Sequence, residues 1–141
     1  MRGLDILIVD DSKLIGERLI RLLHGLPAAR SVHLEDGLVS AAAYLENIAP
    51  DLLILDHHFP EGYGSELLER SKNRLEGTHI ILYSAFGSLL NDSEYRNHGV
   101  HVVLDKSEAP EALISLVESI ARIRNGNDIE QPSGAVGVEK L

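Results

Sequence analysis

The segment that most constrains the fold is residues 51–56, which read Asp-Leu-Leu-Ile-Leu-Asp. Four consecutive apolar residues between two acids are typical of a short strand buried on both faces of a parallel sheet. Pro60, Gly62 and Gly64 follow, and because these residues interrupt regular structure they predict a loop. Ligands of open α/β sheets bind outside the carboxyl ends of the strands, so Asp56 is the first candidate for a functional residue.

Strand-like and helix-like segments alternate five times along the chain. Ser12 or Asp11, Asp36 and Ser107 are the predicted helix N-caps, and Pro110 is tolerated in the first turn of the last helix. The predicted strands are 4–9, 31–35, 52–55, 79–83 and 100–104, and the predicted helices cover about 13–23, 38–48, 65–75, part of 88–97, and the segment from Ser107 to before Asn125.

This alternation predicts a doubly wound α/β fold, (βα)5 and flavodoxin-like, with right-handed crossovers and helices on both faces of the sheet. The expected strand order in the five-stranded parallel sheet is 2-1-3-4-5, which places the first and third strands side by side. The chain has 141 residues, enough for one domain with its own core. We expect that domain over 1–125 and a flexible C-terminal tail or linker over 126–141.

The predicted strand order gathers polar residues at one rim of the sheet. Asp10, Asp11 and Asp56 follow the first and third strands, whereas Ser84 and Lys106 follow the fourth and fifth. Three crowded carboxylates repel one another unless a cation lies among them, and hard oxygen ligands suit Mg²⁺ or Mn²⁺. With a metal, a lysine and a hydroxyl beside it, a carboxylate can act as a nucleophile toward phosphorus and form an aspartyl phosphate.

Composition and net charge indicate which class of binding partner and which cellular compartment to expect for this protein. The net charge of −9 argues against direct nucleic-acid binding, which needs Lys and Arg at the phosphates, and suits a cation or a basic protein surface. The chain has no cysteine, and no apolar run approaches the roughly 18 residues of a membrane span. Residues 1–3 lead into the first strand without the features of a signal peptide, so a cytoplasmic protein without membrane contact is expected.

The residues of this rim also carry a family resemblance. The run from Leu4 to about Arg124 resembles the receiver domain of two-component response regulators, with a fold like that of the chemotaxis regulators. The family's motif positions are matched in order by the acidic pair Asp10 and Asp11, the phosphoacceptor Asp56, the Ser/Thr position Ser84, the lysine Lys106, and an Asp-x-x-x-Pro-x-x-x-Gly loop over 56–64.

The resemblance implies Mg²⁺-dependent phosphoryl transfer to Asp56 from a partner histidine kinase or phosphotransfer protein. It implies metal contacts from Asp11, Asp56 and the backbone carbonyl of His58, with Asp10 acting partly through water. The implied protein is a phosphoacceptor rather than an enzyme, with at most slow self-catalysed phosphorylation and dephosphorylation. It would be a monomer or a phosphorylation-dependent dimer that signals to a downstream protein through the face formed by the fourth helix and fifth strand.

Two positions depart from the family's pattern. Val103 stands three residues before the lysine, where the family usually has an aromatic residue that rotates inward on phosphorylation. Ser107 stands after the lysine in place of the family's proline and its cis bond. A cis peptide before serine would cost about 3–4 kcal/mol, so either a trans bond with a shifted loop or a strained cis bond is expected.

Other interpretations remain open at this point. The chain could be the receiver part of a longer regulator with an output domain such as a DNA-binding domain, a phosphorylation-independent binding module, or a phosphatase-like hydrolase. Hydrolases with an aspartyl nucleophile usually carry a second Asp two residues later, where this chain has His58. Asp10 and Asp11 also fit simple helix caps.

Several aromatic residues near the rim have two interpretations each. His57 and His58 are best explained as loop histidines, although His58 could overhang the phosphoryl group and tune its lifetime through protonation. Phe86 either screens the site from water or is a contact of the fourth helix. Tyr83 and Tyr95 are expected to be packing residues rather than partner contacts.

Overall fold

A computed structural model of the protein describes residues 2–85 and 92–126. The helices alternate with the strands of the main sheet, as the sequence predicts, with a short hairpin between the third strand and the third helix. The strands are β1 (Leu4–Val9), β2 (Ala29–Glu35), β3 (Leu52–Leu55), β4 (His58–Phe59), β5 (Gly62–Tyr63), β6 (His79–Ser84) and β7 (Val102–Asp105), and the helices are α1 (Lys13–His24), α2 (Leu38–Asn47), α3 (Gly64–Arg70), α4 (Asp92–Asn97) and α5 (Pro110–Arg124).

The main sheet has five parallel strands in the order β2-β1-β3-β6-β7. Because β4 and β5 form a separate hairpin, β6 and β7 are the predicted fourth and fifth strands, and the predicted order 2-1-3-4-5 is confirmed. Leu55 at the end of β3 pairs with Val9 on one side and Leu82 on the other. The chain therefore leaves β1, β3 and β6 at the same rim.

Alternate residues of β1 enter two separate cores. Leu7 and Val9 pack in one cluster with residues of α2, α3 and α4, whereas Ile6 and Ile8 pack in another with residues of α1 and α5. The sheet is thus covered on both faces, which confirms the doubly wound architecture. Residues 52–55 of β3 are at most 1% exposed. Burial of a Leu or Ile side chain contributes about 1.5–3 kcal/mol, so β3 is a rigid base for the residue that follows it.

Helix α1 begins as predicted, but α2 does not. The Ser12 hydroxyl accepts a hydrogen bond from the Ile15 backbone N–H at 3.3 Å, so the Ser12 cap is confirmed. The predicted Asp36 cap is wrong, because Gly37 occupies the N-cap position without a side-chain bond. The Glu61 carboxylate, from the turn between β4 and β5, accepts from the Leu38 N–H at 3.0 Å instead.

The predicted Ser107 cap is also wrong. Ala109 is the N-cap of α5, because Pro110 has a fixed φ and no N–H, which suits the first helical position. The Ser107 N–H donates instead to Asp105 Oδ1 at 2.8 Å in the turn that follows β7. Within residues 2–85 and 92–126 there is no cis peptide bond, so the bond between Lys106 and Ser107 is trans.

Three other predictions need revision or lie outside the described residues. Helix α3 ends at Arg70, with turns over 71–77, rather than at about residue 75. Helix α4 covers Asp92–Asn97, and the earlier part of the predicted segment, including Phe86, lies outside the described residues. Residues 127–141 also lie outside them, so the flexible tail stays a prediction. In the part of the chain that is described, no helix has the length and apolarity to cross a bilayer.

Candidate functional site

Three strand ends bring a lysine against two carboxylates. Asp10 follows β1, Asp56 follows β3, and Lys106 follows β7. The Lys106 ammonium Nζ lies 2.8 Å from Asp10 Oδ2 and 2.9 Å from Asp56 Oδ2. All three side chains are largely removed from solvent, with exposed fractions of 12% for Lys106, 3% for Asp10 and 11% for Asp56. Opposite charges at these distances and with so little solvent exposure attract each other much more strongly than an ion pair at the surface.

Backbone hydrogen bonds continue past the strands and fix where these side chains start. The Asp56 N–H donates to the Val9 carbonyl at 3.0 Å, and the Lys106 N–H donates to the Ser84 carbonyl at 2.9 Å. The Asp10 N–H donates to the Glu35 carbonyl at 3.2 Å. The site residues are therefore placed by the sheet itself rather than by loops.

Each of the two buried carboxylates has one oxygen on Lys106 and the other on a backbone N–H. Asp10 Oδ1 accepts from the Ser12 N–H at 2.9 Å. Asp56 Oδ1 accepts from the His57 N–H at 2.7 Å. Because hydrogen bonds to charged acceptors are stronger than neutral ones, these contacts hold both carboxylates in fixed orientations.

Burial and charge pairing oppose each other in this cluster. Burial alone lowers the pKa of Lys106, but its hydrogen bonds to Asp10 and Asp56 outweigh burial and hold that pKa above its ordinary value. Burial raises the pKa of Asp10, and the hydrogen bond from Lys106 acts against this rise. Lys106 is therefore firmly cationic at neutral pH and supplies the positive charge that the two acids need.

Asp11 completes an oxygen-rich group with Asp10 and Asp56. One carboxylate oxygen from each residue lies within 4.8 Å of the others, and Asp11 is exposed whereas Asp10 and Asp56 are buried. Three carboxylates without a soft ligand are a donor set that fits Mg²⁺ or Mn²⁺. Among the described residues this is the one such group, and the His58 ring is not part of it. The ring is exposed and lies edge-on to Tyr63 at 5.7 Å.

Ser84 lies at the same rim, as the sequence predicts. It is the last residue of β6, is 5% exposed, and pairs with Asp105 immediately before Lys106. Val103, at the position where an aromatic residue is usual, is half-buried and packs against the core that contains Tyr95. The structure thus gathers Asp10, Asp11, Asp56, Ser84 and Lys106 at one end of the sheet.

The loop after Asp56 is a hairpin that sequence reasoning missed. His58 pairs with Tyr63, and Phe59 pairs with Gly62. A Cβ on Gly64 would lie 2.4 Å from the Asp56 carbonyl oxygen, which is closer than real Cβ atoms approach. A glycine is therefore required eight residues after Asp56 because the start of α3 passes directly against the backbone of the site.

The side chain of His57 makes a contact that no sequence pattern indicated. Its Nδ1 shares a hydrogen bond with the Tyr95 hydroxyl in α4, and the two rings meet edge to face at 5.5 Å. Tyr95 is 1% exposed, which confirms that it is a packing residue. Thirty-eight positions separate the two residues in sequence. Because His57 stands at an unspecified position of the loop motif and Tyr95 lies in no motif, only the folded chain shows the contact.

Comparisons with known proteins agree with this fold. Residues 6–118 match the response regulator receiver domain family, and this chain belongs to that family. It is thus a receiver domain of the two-component response-regulator class.

Several named proteins are similar to the chain. It is 26% identical over 141 residues to the transcriptional regulatory protein CitB of Klebsiella pneumoniae, covering all of this chain and 60% of the relative. It is 34% identical over 104 residues to the Regulator of RpoS of Escherichia coli K12, covering 74% of this chain and 30% of the relative. The fold matches a CheY-like receiver domain from Methanospirillum hungatei with a TM-score of 0.78 at 24% identity, covering 89% and 98% of the two chains. The chain thus spans only part of the length of these curated relatives.

Proposed function

We propose that this receiver domain accepts a phosphoryl group on Asp56 from a histidine kinase or phosphotransfer protein and changes its protein-binding face in response. The observation that carries the proposal is the position of Asp56. It is anchored on a fully buried strand, has Lys106 at 2.9 Å, and lies within one cluster of acidic oxygens. A structural carboxylate would need the lysine alone, whereas a phosphoacceptor needs both a cation and a metal-binding acid pair.

Transfer needs one bond made and one bond broken. A carboxylate oxygen of Asp56 attacks phosphorus, and the bond from phosphorus to the donor nitrogen of phosphohistidine breaks, after which the leaving imidazole takes a proton from solvent. With acetyl phosphate as donor, the bond from phosphorus to oxygen breaks and acetate leaves. Lys106 stabilises negative charge on the phosphoryl oxygens as the new bond forms, and the Ser84 hydroxyl donates to one of them.

Asp11 and Asp56 would hold Mg²⁺ directly, together with the His58 backbone carbonyl, and Asp10 would act partly through water. When bound there, the ion supplies positive charge that offsets the charge of the phosphoryl group. One carboxylate oxygen from each of Asp10, Asp11 and Asp56 lies within 4.8 Å of the others, so these residues already bring together the oxygen ligands that the ion needs.

Phosphorylation gives Asp56 more charge and three acceptor oxygens, which draw Lys106 and Ser84 toward the new group. Lys106 follows β7 and Ser84 ends β6, so both movements act on the face formed by β6, α4 and β7. That face is therefore the proposed signalling surface. Val103 has no aromatic ring that could rotate on phosphorylation, so other groups must transmit the change from Asp56 to this face.

His58 is proposed to tune how long the phosphoryl group survives. Its exposed ring lies two residues after Asp56, where it can overhang the phosphoryl group. The dephosphorylation rate of His58→Ala should therefore differ from that of the parent. An identical rate would sink this idea.

The test of the proposed function is intact-mass spectrometry after incubation with acetyl phosphate and Mg²⁺. The parent should gain one phosphoryl group, and Asp56→Asn should gain none. Asp5→Asn is the matched control, because Asp5 lies in β1 away from the rim and bonds to Arg30 and to the Ser31 hydroxyl. Phosphorylation of Asp56→Asn equal to that of the parent would overturn the proposal, and rapid continuous turnover of acetyl phosphate would favour the hydrolase instead.

A further inference from the structure

His57 places an aromatic ring between the hairpin and α4, directly beside the proposed phosphoacceptor. The ring stacks on Tyr63 of β5 at a centroid distance of 5.1 Å and an interplanar angle of 26°. It meets Tyr95 of α4 edge to face at 5.5 Å and 72°. The Nδ1 of His57 and the Tyr95 hydroxyl share a hydrogen bond whose direction depends on the tautomer of the imidazole.

The backbone of His57 is hydrogen-bonded to the site, and its ring is hydrogen-bonded to α4. Its N–H donates to Asp56 Oδ1 at 2.7 Å, the oxygen of Asp56 that does not contact Lys106. Its carbonyl accepts from the Gly64 N–H at 2.7 Å. A change at Asp56 Oδ1 therefore acts first on the peptide that carries the His57 ring.

Tyr95 is well placed to pass such a change to α4. It is 1% exposed and belongs to the same core cluster as Phe59 and Val100, with Val103 packed against that cluster. Its carbonyl accepts from the His98 N–H at 3.0 Å and the Val100 N–H at 3.1 Å, which form the end of α4 and the approach to β7. A displacement of Tyr95 would thus move the end of the helix and not the side chain alone.

We propose that Tyr95 and His57 act as a positioning pair that reports the phosphorylation state of Asp56 to α4. This inference rests on the proposed function. Whichever oxygen of Asp56 bonds to phosphorus, Oδ1 loses its share of the carboxylate charge and becomes a weaker acceptor for the His57 N–H. The His57 peptide is then released, its ring shifts, and the bond that holds Tyr95 and α4 against the hairpin weakens.

The pair offers a coupling route that does not need an aromatic residue at position 103. Val103 contributes packing to the Tyr95 core, but its side chain has no polar atom that could follow the phosphoryl group. Tyr95 has such an atom, and its ring lies in that core. The hydroxyl of Tyr95 is therefore the specific group to remove.

The test is hydrogen–deuterium exchange of the amides of residues 95–100 in Tyr95→Phe, with and without acetyl phosphate and Mg²⁺. The variant keeps the ring and its packing. In the parent, phosphorylation should raise exchange of these amides about fivefold, the factor expected for losing one net hydrogen bond. In Tyr95→Phe, exchange should already be raised about as much before phosphorylation and change little afterwards. Intact mass on the same samples reports how much protein is phosphorylated.

Two further variants make the result specific. His57→Phe removes the bond from the other side while leaving a ring to stack on Tyr63, and it should behave like Tyr95→Phe. Tyr44→Phe removes a hydroxyl from α2, where the ring stacks on His33 at 4.2 Å, and it should respond like the parent. Exchange in phosphorylated and unphosphorylated Tyr95→Phe that matches the parent would overturn the inference, as would a phosphorylated parent whose α4 exchange does not change. If the parent gained no phosphoryl group, the proposed function would be wrong, and this inference would fail with it.

Discussion

The ammonium of Lys106 lies 2.9 Å from the Asp56 carboxylate and ties the end of β7 to the end of β3. Two strands that are not neighbours in the sheet are thereby joined across β6. Because the same ammonium also contacts Asp10 beyond β1, it is the shared partner of both buried acids. A change in charge at Asp56 therefore alters the electrostatic environment of Asp10 and of the start of the turn that leads to α5.

Replacing Lys106 with methionine should destabilise the metal-free protein and slow its phosphorylation. Asp10 and Asp56 would lose their shared cation, and breaking a buried pair in this way costs about 3 kcal/mol. Mg²⁺ should raise the melting temperature of Lys106→Met more than that of the parent, since the ion relieves a larger repulsion. The rate of phosphorylation by acetyl phosphate should fall about tenfold or more, because a charge-stabilising donor is lost.

Lys72→Met is the control for this prediction, because Lys72 is exposed and lies 3.6 Å from an exposed Glu69. It should change the free energy of unfolding by no more than about 0.5 kcal/mol and leave phosphorylation unchanged. Equal stability and equal Mg²⁺ response in Lys106→Met and the parent would show that the lysine is not the compensating charge of the site.

Gly64→Ala should disturb the site even though the residue carries no side chain. The added Cβ would lie 2.4 Å from the Asp56 carbonyl oxygen and 3.2 Å from the Leu55 side chain, so the backbone must move. We expect a loss of about 2 kcal/mol in urea unfolding, within the range for forced overpacking, together with slower phosphorylation of Asp56.

Gly25→Ala provides the matched comparison. Gly25 ends α1 with a φ of −86°, and a Cβ there would meet nothing within 4 Å. The substitution should be neutral or stabilise by about 0.4–1 kcal/mol, because it restricts the unfolded chain without straining the folded one. If Gly64→Ala were as stable as Gly25→Ala, the close approach of α3 to the Asp56 backbone would be wrong.

Stability should fall as the pH drops from about 6.5 to 4, through a histidine at the edge of the sheet opposite the site. Burial lowers the pKa of His79 to about 4, with the neighbouring His101 and Arg124 acting in the same direction. Between this folded value and the ordinary value of about 6.5, the unfolded chain binds more protons, so acid favours unfolding. The ring is only half-buried, so we expect a loss on the order of 1 kcal/mol rather than the full shift.

Urea midpoints measured from pH 7 to 4 check this dependence. His79→Gln should flatten the slope in that window. The remainder combines His101, whose pKa is also lowered by burial, with an opposite contribution from Asp10, whose pKa is raised by burial. Asp5, whose pKa is lowered to about 2 chiefly by its bond to Arg30, acts only below about pH 4. An unchanged slope in His79→Gln would refute the assignment.

The strand order and the positions of the site residues could be predicted because they depend on local patterns. The apolar run at 52–55 identifies a central strand by composition alone, and the acids and lysine follow such runs directly. Parallel strands with right-handed crossovers then leave few arrangements in which those ends meet. The convergence of Asp10, Asp56 and Lys106 follows from topology more than from any side-chain detail.

The features that could not be predicted depend on residues distant in sequence. Glu61 replaces the expected Asp36 cap only because the hairpin turn lies against the start of α2. The hairpin has strands of two residues, too short for any periodic signal. Tyr95 looks like a packing residue from its sequence, and its bond to His57 exists only once α4 has packed against the loop after Asp56.

The most direct test of the account is to locate the phosphoryl group chemically. An aspartyl phosphate is reduced by borohydride to homoserine, so protein treated with acetyl phosphate and Mg²⁺, reduced and digested, can be read by peptide mass spectrometry. We expect homoserine at position 56, absent when Mg²⁺ is chelated and absent in Asp56→Asn. Homoserine at another acidic residue, or no conversion at position 56 in folded parent protein supplied with Mg²⁺, would contradict it.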